Sequence, residues 1–250
     1  MRLNDLVGYC DDLLDVRGIP DAPEALNGLQ VANGGEVHRI AAAVDVCAAT
    51  IRMAAEQGAD CLIVHHGLFW GGNRPLVGPQ LDRVAALIRH NIALYGVHLP
   101  LDCHPELGNA PLLARALGVE IRGAFGSWHE QPFGVWGELP LDRQALGERL
   151  TRLLNAPPKA MLFGPPTVRR VGIATGAAGS LIPQAAAAGL DTLITGEGNH
   201  HTYFDAEELR LNVYYGGHYA TETFGVRALA EHLGAKFGLP WVFLDHPTGL

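Results

Sequence analysis

Three clusters of metal-type donors stand out along the chain: the adjacent pair His65-His66, His98 with Asp102, and His218 with Glu222. Imidazole nitrogen and carboxylate oxygen suit Zn, Mn, Fe or Co, and two carboxylates can bridge a pair of such ions. In the last two clusters the imidazole stands four residues before the acid and just after a Tyr-Gly, in YGVHLPLD (95–102) and YGGHYATE (215–222). A lone His at a strand end is ordinarily a satisfied or solvent-exposed polar residue. The same Tyr-Gly-x-His-x-x-x-acid pattern twice in one chain points instead to metal binding. Adjacent residues on a strand face opposite ways. His65 and His66 can therefore reach one site only where a strand ends and turns, which Gly67 permits.

The elements that must carry these donors are legible in the hydrophobic pattern. IAAAVDV (40–46) is a short buried strand, 48–57 a helix closed by Gly58, and CLIVHHG (61–67) a second strand. A Gly/Pro-rich loop spans 68–79, a helix 80–91, and IALYGVH (92–98) is a third strand. Residues 3–16 form an amphipathic helix ahead of them. Alternating strands and helices predict a parallel sheet with covering helices. The second half repeats the pattern, with strands at 168–176, 191–197 and 212–218 and helices at 180–188 and HTYFDAEEL. Ile40–His66 aligns without a gap onto Val171–Glu197, matching Gly58 with Gly189, Asp60 with Asp191, Leu62 with Leu193 and Ile63 with Ile194. The expectation is an α/β fold of two similar lobes related by internal duplication, 1–125 and 126–250, with the metal site in the cleft between them.

Composition narrows the class. Hydrophobic residues make up 48% and charged residues 18%, a globular balance. The net charge of −8 and the lack of a Lys/Arg run argue against nucleic acid. The stretch MRLNDLVGYCDDLLDV carries acids where a signal peptide needs a basic and then an apolar run. No stretch reads as a membrane span. Four scattered cysteines without a CxxC pair suit a reducing compartment, so a cytoplasmic protein is expected.

VHHGLFW, GVHLPLDCHPELGN, TGEGNHH and GGHYATE resemble, in the right order and across nearly the whole chain, the signature segments of the GTP cyclohydrolase I type 2 homologues, or Nif-three-like proteins. The resemblance implies two divalent transition-metal ions per chain (Zn, Fe or Mn), bound by His65, His66, Asp102, His218 and Glu222. It also implies a toroidal homo-hexamer with its sites facing an inner cavity. Too few residues lie between about 125 and 168 for the extra domain of longer members, so the chain resembles the short bacterial form.

Other residues carry weaker signals. His98 is either a ligand or a residue that orients one from behind, the latter being favoured. Glu197 matches His66 in the repeat and is, with His98, a candidate to relay protons; an acid near the next helix start is the plainer reading. His200 and His201 suit substrate binding or a plain surface. His104 and His129 read as loop residues, and Cys103 lacks a clear base. Phe69 and Trp70 suit packing first and an aromatic wall for a base second. GLFWGG is not a phosphate-binding P-loop. The expected function is a metal-dependent hydrolase that activates water, acting on a nucleotide or phosphoester small molecule. The alternative is a non-enzymatic metal-binding ring serving as scaffold, chaperone or metal store.

Overall fold

The computed structural model describes residues 1–22, 24–70, 72, 74–128 and 131–249. His129 and the residues Gly71 and Asn73 of the Gly/Pro-rich loop lie outside the described residues. In chain order the strands are β1 (Gly28–Val31), β2 (Ile40–Asp45), β3 (Cys61–His66), β4 (Ala93–Gly96), β5 (Glu120–Trp128), β6 (Gln131–Asp142), β7 (Lys159–Leu162), β8 (Thr167–Ile173), β9 (Thr192–Thr195), β10 (Asn212–Tyr215) and β11 (Trp241–Phe243).

The chain forms two compact units, residues 1–107 with 225–246, and residues 108–224 with 247–250. The sequence pattern predicts a single cut between 125 and 126. The observed division differs because β5 pairs with β6 in the second sheet, and because β11 returns to pair with β2 in the first.

The first unit holds a five-stranded sheet in the order β1-β4-β3-β2-β11. β2, β3 and β4 are parallel, as the alternating pattern predicts, while β1 adds an antiparallel edge to β4. Every residue of Ile40–Val44 and Cys61–His65 is buried. Near-continuous apolar strands of this kind are covered on both faces. Ala41, Ala43, Leu62, Val64 and Leu94 form one core with Ile51 and Ala54 of helix Ala48–Glu56 and Leu87 of helix Gly78–Arg89. The amphipathic helix Leu3–Leu13 holds β4 through Tyr95, whose hydroxyl donates to Asp11 at 2.9 Å.

The second unit holds a six-stranded sheet in the order β5-β6-β8-β9-β10-β7, in which β8, β9 and β10 are the parallel trio. Side-chain alternation divides its core in two. Ile194 and Tyr214 pack with Leu113, Leu146 and Leu150 of helices Asn109–Leu117 and Arg143–Leu154. Leu193 and Val213 pack with Ile182 and Ala206 of helices Ile182–Ala187 and Thr202–Glu208. The long antiparallel pair β5–β6 is absent from the sequence-based expectation. Its exposed, Gly-interrupted segments lack the apolar run that marks the buried strands.

The duplication is visible in the ladders. Ile40, Ala41 and Ala42 oppose Cys61, Leu62 and Ile63, and their repeat counterparts Val171, Gly172 and Ile173 oppose Thr192, Leu193 and Ile194. The repeated aspartate has the same task in both units. Asp60 accepts from the backbone N–H groups of His38 and Arg39, and Asp191 from those of Arg169 and Arg170. That match is scaffold; the chemistry lies at the other end of the strands.

Candidate metal centre

In the first unit the carboxyl ends of β2, β3 and β4 deliver the donors, the usual place for a site on a parallel sheet. His65, fully buried, has its Nδ1 3.0 Å from the carbonyl oxygen of Val97. His66 has its Nδ1 2.8 Å from Asp45 Oδ1, and Asp45 is its ladder partner on β2. His98, just past β4, has its Nδ1 2.9 Å from Asp21 Oδ1. The ring centroids are 4.9 Å apart for His65–His66 and for His65–His98, and 5.8 Å for His66–His98. A ligating atom from each of the three lies within 4.8 Å of the other two. Asp102, buried at the end of the short helix Leu99–Asp102, places Oδ2 3.4 Å from His65 Nε2.

A carbonyl or carboxylate oxygen accepts, so each of these Nδ1 atoms donates. The proton is thereby fixed on Nδ1, and Nε2 carries the lone pair a metal requires. Burial works to raise the pKa of Asp21, but hydrogen bonds from His98, Asn27 and the Leu99 N–H outweigh it and hold the carboxyl below its usual range.

The turn after His66 depends on Gly67, for a reason the sequence does not disclose. Its φ is ordinary; the constraint is close approach. A Cβ there would meet the Gln30 side chain at 2.1 Å, and Gln30 is held in place by accepting from Leu68 N–H and donating to the Leu26 carbonyl. Phe69 packs on the first unit's core. Trp70, 43% exposed, stands nearly perpendicular to the rings of His66 and His98 at 5.9 and 4.8 Å, so it flanks the imidazoles rather than filling the core.

The second unit has one imidazole between two carboxylates. His218, at the start of the short helix His218–Thr221, has its Nδ1 2.7 Å from Glu197 Oε1 and its Nε2 3.2 Å from Glu222 Oε2. Glu222 is buried, whereas Glu197 is 48% exposed. The hydrogen bond to Glu222 first, and then the charges of Glu222 and Glu197, raise the His218 pKa to about 9 against the opposing effect of burial. Gly176, at φ +66°, faces the pair, and a Cβ there would lie 2.2 Å from Glu222 Oε1.

Within the first unit the structure thus brings together His65, His66 and Asp102, with His98 beside them. Within the second it brings together His218 and Glu222. Glu197, a candidate for proton relay by sequence, holds His218 Nδ1. Asp21 and Asp45, which sequence reasoning missed, hold His98 and His66. Their one legible signal is that Asp45 is an acid at the end of an apolar strand beside the strand that ends in His66. His104 accepts from the N–H groups of Glu106 and Leu107 and is a local turn cap. His200 and His201 are exposed next to helix Thr202–Glu208.

All four site histidines thus keep Nδ1 on an oxygen, and two buried carboxylates lie within 3.4 Å of an Nε2. That donor set fits divalent transition metal. Among the described residues no helix is long and apolar enough to cross a membrane.

The profile of the Duf34/NIF3 (NGG1p interacting factor 3) family matches residues 1–248. A protein of Deinococcus radiodurans named GTP cyclohydrolase 1 type 2 homolog is 44% identical over 249 residues, covering 99% of this chain and 94% of that protein. One of the same name from Halobacterium salinarum is 44% identical over 256 residues, covering both chains fully. The crystal structure of TTHA1606 from Thermus thermophilus superposes with a TM-score of 0.92 at 42% identity and covers 100% of both chains.

Proposed function

We propose, from the premise that this chain belongs to the Duf34/NIF3 family, that His65, His66, Asp102, His218 and Glu222 hold two divalent transition-metal ions and that the centre hydrolyses a small phosphorylated or nucleotide substrate. The observation that carries the reading is the common orientation of the histidines: each Nδ1 is held by an oxygen, which leaves Nε2 as the atom each ring offers to metal. Two such ions, when bound, lower the pKa of water and polarise a scissile bond. The protein's own residues do the rest. Glu197 and Asp45 fix the planes of His218 and His66, and Val97 fixes that of His65. Asp102 and Glu222 bring negative charge that offsets the charge of the ions. The five side chains supply about six bonds if one carboxylate bridges, fewer than the roughly eight to twelve that two ions of coordination four to six take. Open positions of that kind distinguish a catalytic site from a closed structural one. Trp70, exposed beside His66 and His98, offers a planar surface to a substrate base. The assembly is a hexamer in the cytoplasm, with Zn, Fe or Mn as the bound ion.

The test is the full-length protein, loaded with each metal and assayed against a panel of nucleotides and phosphoesters. The expected result is turnover that needs metal and disappears, together with bound metal, in Glu222→Ala. Two equivalents of bound metal with no turnover across the panel would favour the scaffold, chaperone or metal-store role.

A further inference from the structure

The arrangement behind His98 is more elaborate than a bystander needs. The Asp21 side chain is 6% exposed, and its two oxygens accept from four donors: His98 Nδ1 at 2.9 Å, Leu99 N–H at 2.9 Å, the Asn27 amide at 2.8 Å and its neighbour Ala22 N–H at 2.7 Å. The Asn27 carbonyl oxygen in turn accepts from the backbone N–H of His98 at 2.8 Å. The segment between helix Leu3–Leu13 and β1 therefore grips His98 by both side chain and main chain. The grip holds Nδ1 of His98 as Asp45 holds that of His66 and Glu197 that of His218.

The spacing of the three imidazoles agrees. A ligating nitrogen of His98 lies within 4.8 Å of those of both His65 and His66, a spacing small enough for one ion to be reached from all three. His104, a few residues on, is the contrast: its Nδ1 accepts from two backbone amides, and among the described residues its ring joins no cluster of donors.

We propose that His98 is a sixth protein ligand, binding through Nε2, so that the first unit presents three imidazoles and the Asp102 carboxylate to metal, with Asp21 as its orienting carboxylate. This rests on the reading of the centre as a transition-metal site. It departs from the expectation that His98 merely orients another ligand. An imidazole held by a buried carboxylate is constrained in the way metal-bound histidines are.

The test reads imidazoles directly. In the cobalt(II)-loaded full-length protein, each histidine bound through Nε2 keeps an Nδ1–H that gives a strongly shifted, exchangeable proton resonance. Four such resonances are expected in the wild type and three in His98→Gln. Asp21→Asn should shift the His98 resonance alone and weaken metal in chelator competition by roughly 10–100-fold. His104→Gln should leave both readouts unchanged. Three resonances in the wild type, all retained in His98→Gln, would overturn the proposal while leaving the five-ligand centre standing. Failure of the wild type to take up cobalt at all would overturn both. The wild-type count is decisive even if a variant folds poorly.

Discussion

The two parallel trios share a ladder register and differ in what they place at its end. In the first unit the ends of β2 and β3 carry Asp45, His65 and His66; their repeat counterparts in the second are Gly176, Gly196 and Glu197. The middle strand of the first unit thus ends in two imidazoles, and that of the second in a glycine and an acid. Yet both units hold an imidazole after the third strand with a carboxylate on its Nδ1. For His98 that carboxylate comes from Asp21, far back in the chain; for His218 it comes from Glu197, the residue that took the place of His66. Duplication kept the scaffold and exchanged the donors, leaving one unit rich in imidazole and the other dominated by carboxylate.

This asymmetry predicts unequal losses. Glu222 is the buried carboxylate at the second unit's single site imidazole, whereas His66 stands beside His65, which has Asp102 within 3.4 Å. Glu222→Ala is expected to take bound metal from near two equivalents to near none by elemental analysis. His66→Ala is expected to retain a measurable fraction. Equal loss in the two variants would mean that the units contribute alike and would break the comparison.

The orienting acids give a sharper version. Asp45→Asn and Glu197→Gln leave every proposed ligand in place and weaken only the grip on Nδ1. Each should lower metal affinity by roughly 10–100-fold in chelator competition, without loss of fold in circular dichroism. An unchanged affinity in both would remove the argument from tautomers.

Much of this arrangement is legible in the amino-acid sequence. Buried parallel strands write themselves as apolar runs, so β2, β3 and β9 follow from the hydrophobic pattern, and the repeated Tyr-Gly-x-His-x-x-x-acid marks the donors. The alignment of the halves misleads in one detail. Tyr95 and Tyr215 match as sequence, but in the ladders Tyr95 opposes Ile63 and Tyr214 opposes Ile194, so the second unit carries one more residue before its histidine. What the sequence hides depends on long-range contact. Asp21 acts on a residue 77 positions away, from a stretch of sequence that carries no hydrophobic period. β5, β6 and β11 are partly exposed or very short, and nothing periodic announces them. Gly67 reads as a hinge and is a clearance for Gln30.

The two glycines extend the comparison to stability. Gly176→Ala meets a left-handed backbone and a clash with buried Glu222, so a loss of about 2 kcal/mol is expected in denaturant unfolding, with weakened metal binding. Gly67→Ala meets only the end of a Gln30 side chain on an ordinary backbone, and about 1 kcal/mol is expected. The reverse order would show that Gln30 is the less yielding neighbour.

The smallest effect separates the units by pH. In the metal-free protein His218 between Glu197 and Glu222 has its pKa raised to about 9, above the roughly 6.5 of an unfolded chain. A group whose folded pKa is raised stabilises the fold fully below its unfolded pKa, and that contribution disappears as the pH rises through the folded value. Metal-free protein should therefore lose stability between about pH 6.5 and 9. The loss is on the order of 1 kcal/mol, because His218 is 29% exposed and solvent screens its partners. Glu197→Gln removes one of the two charges and should shrink the slope, and His218→Gln should abolish it. Saturating metal should reverse its sign, since a metal ion takes Nε2 only from the unprotonated ring and binding strengthens as protons leave. Urea unfolding at pH 6.5, 7.5 and 9, with and without metal, measures all of this. A metal-free stability flat across that range would mean that the paired carboxylates do not hold a proton on the imidazole. The second unit would then differ from the first in ligand type only, and not in charge.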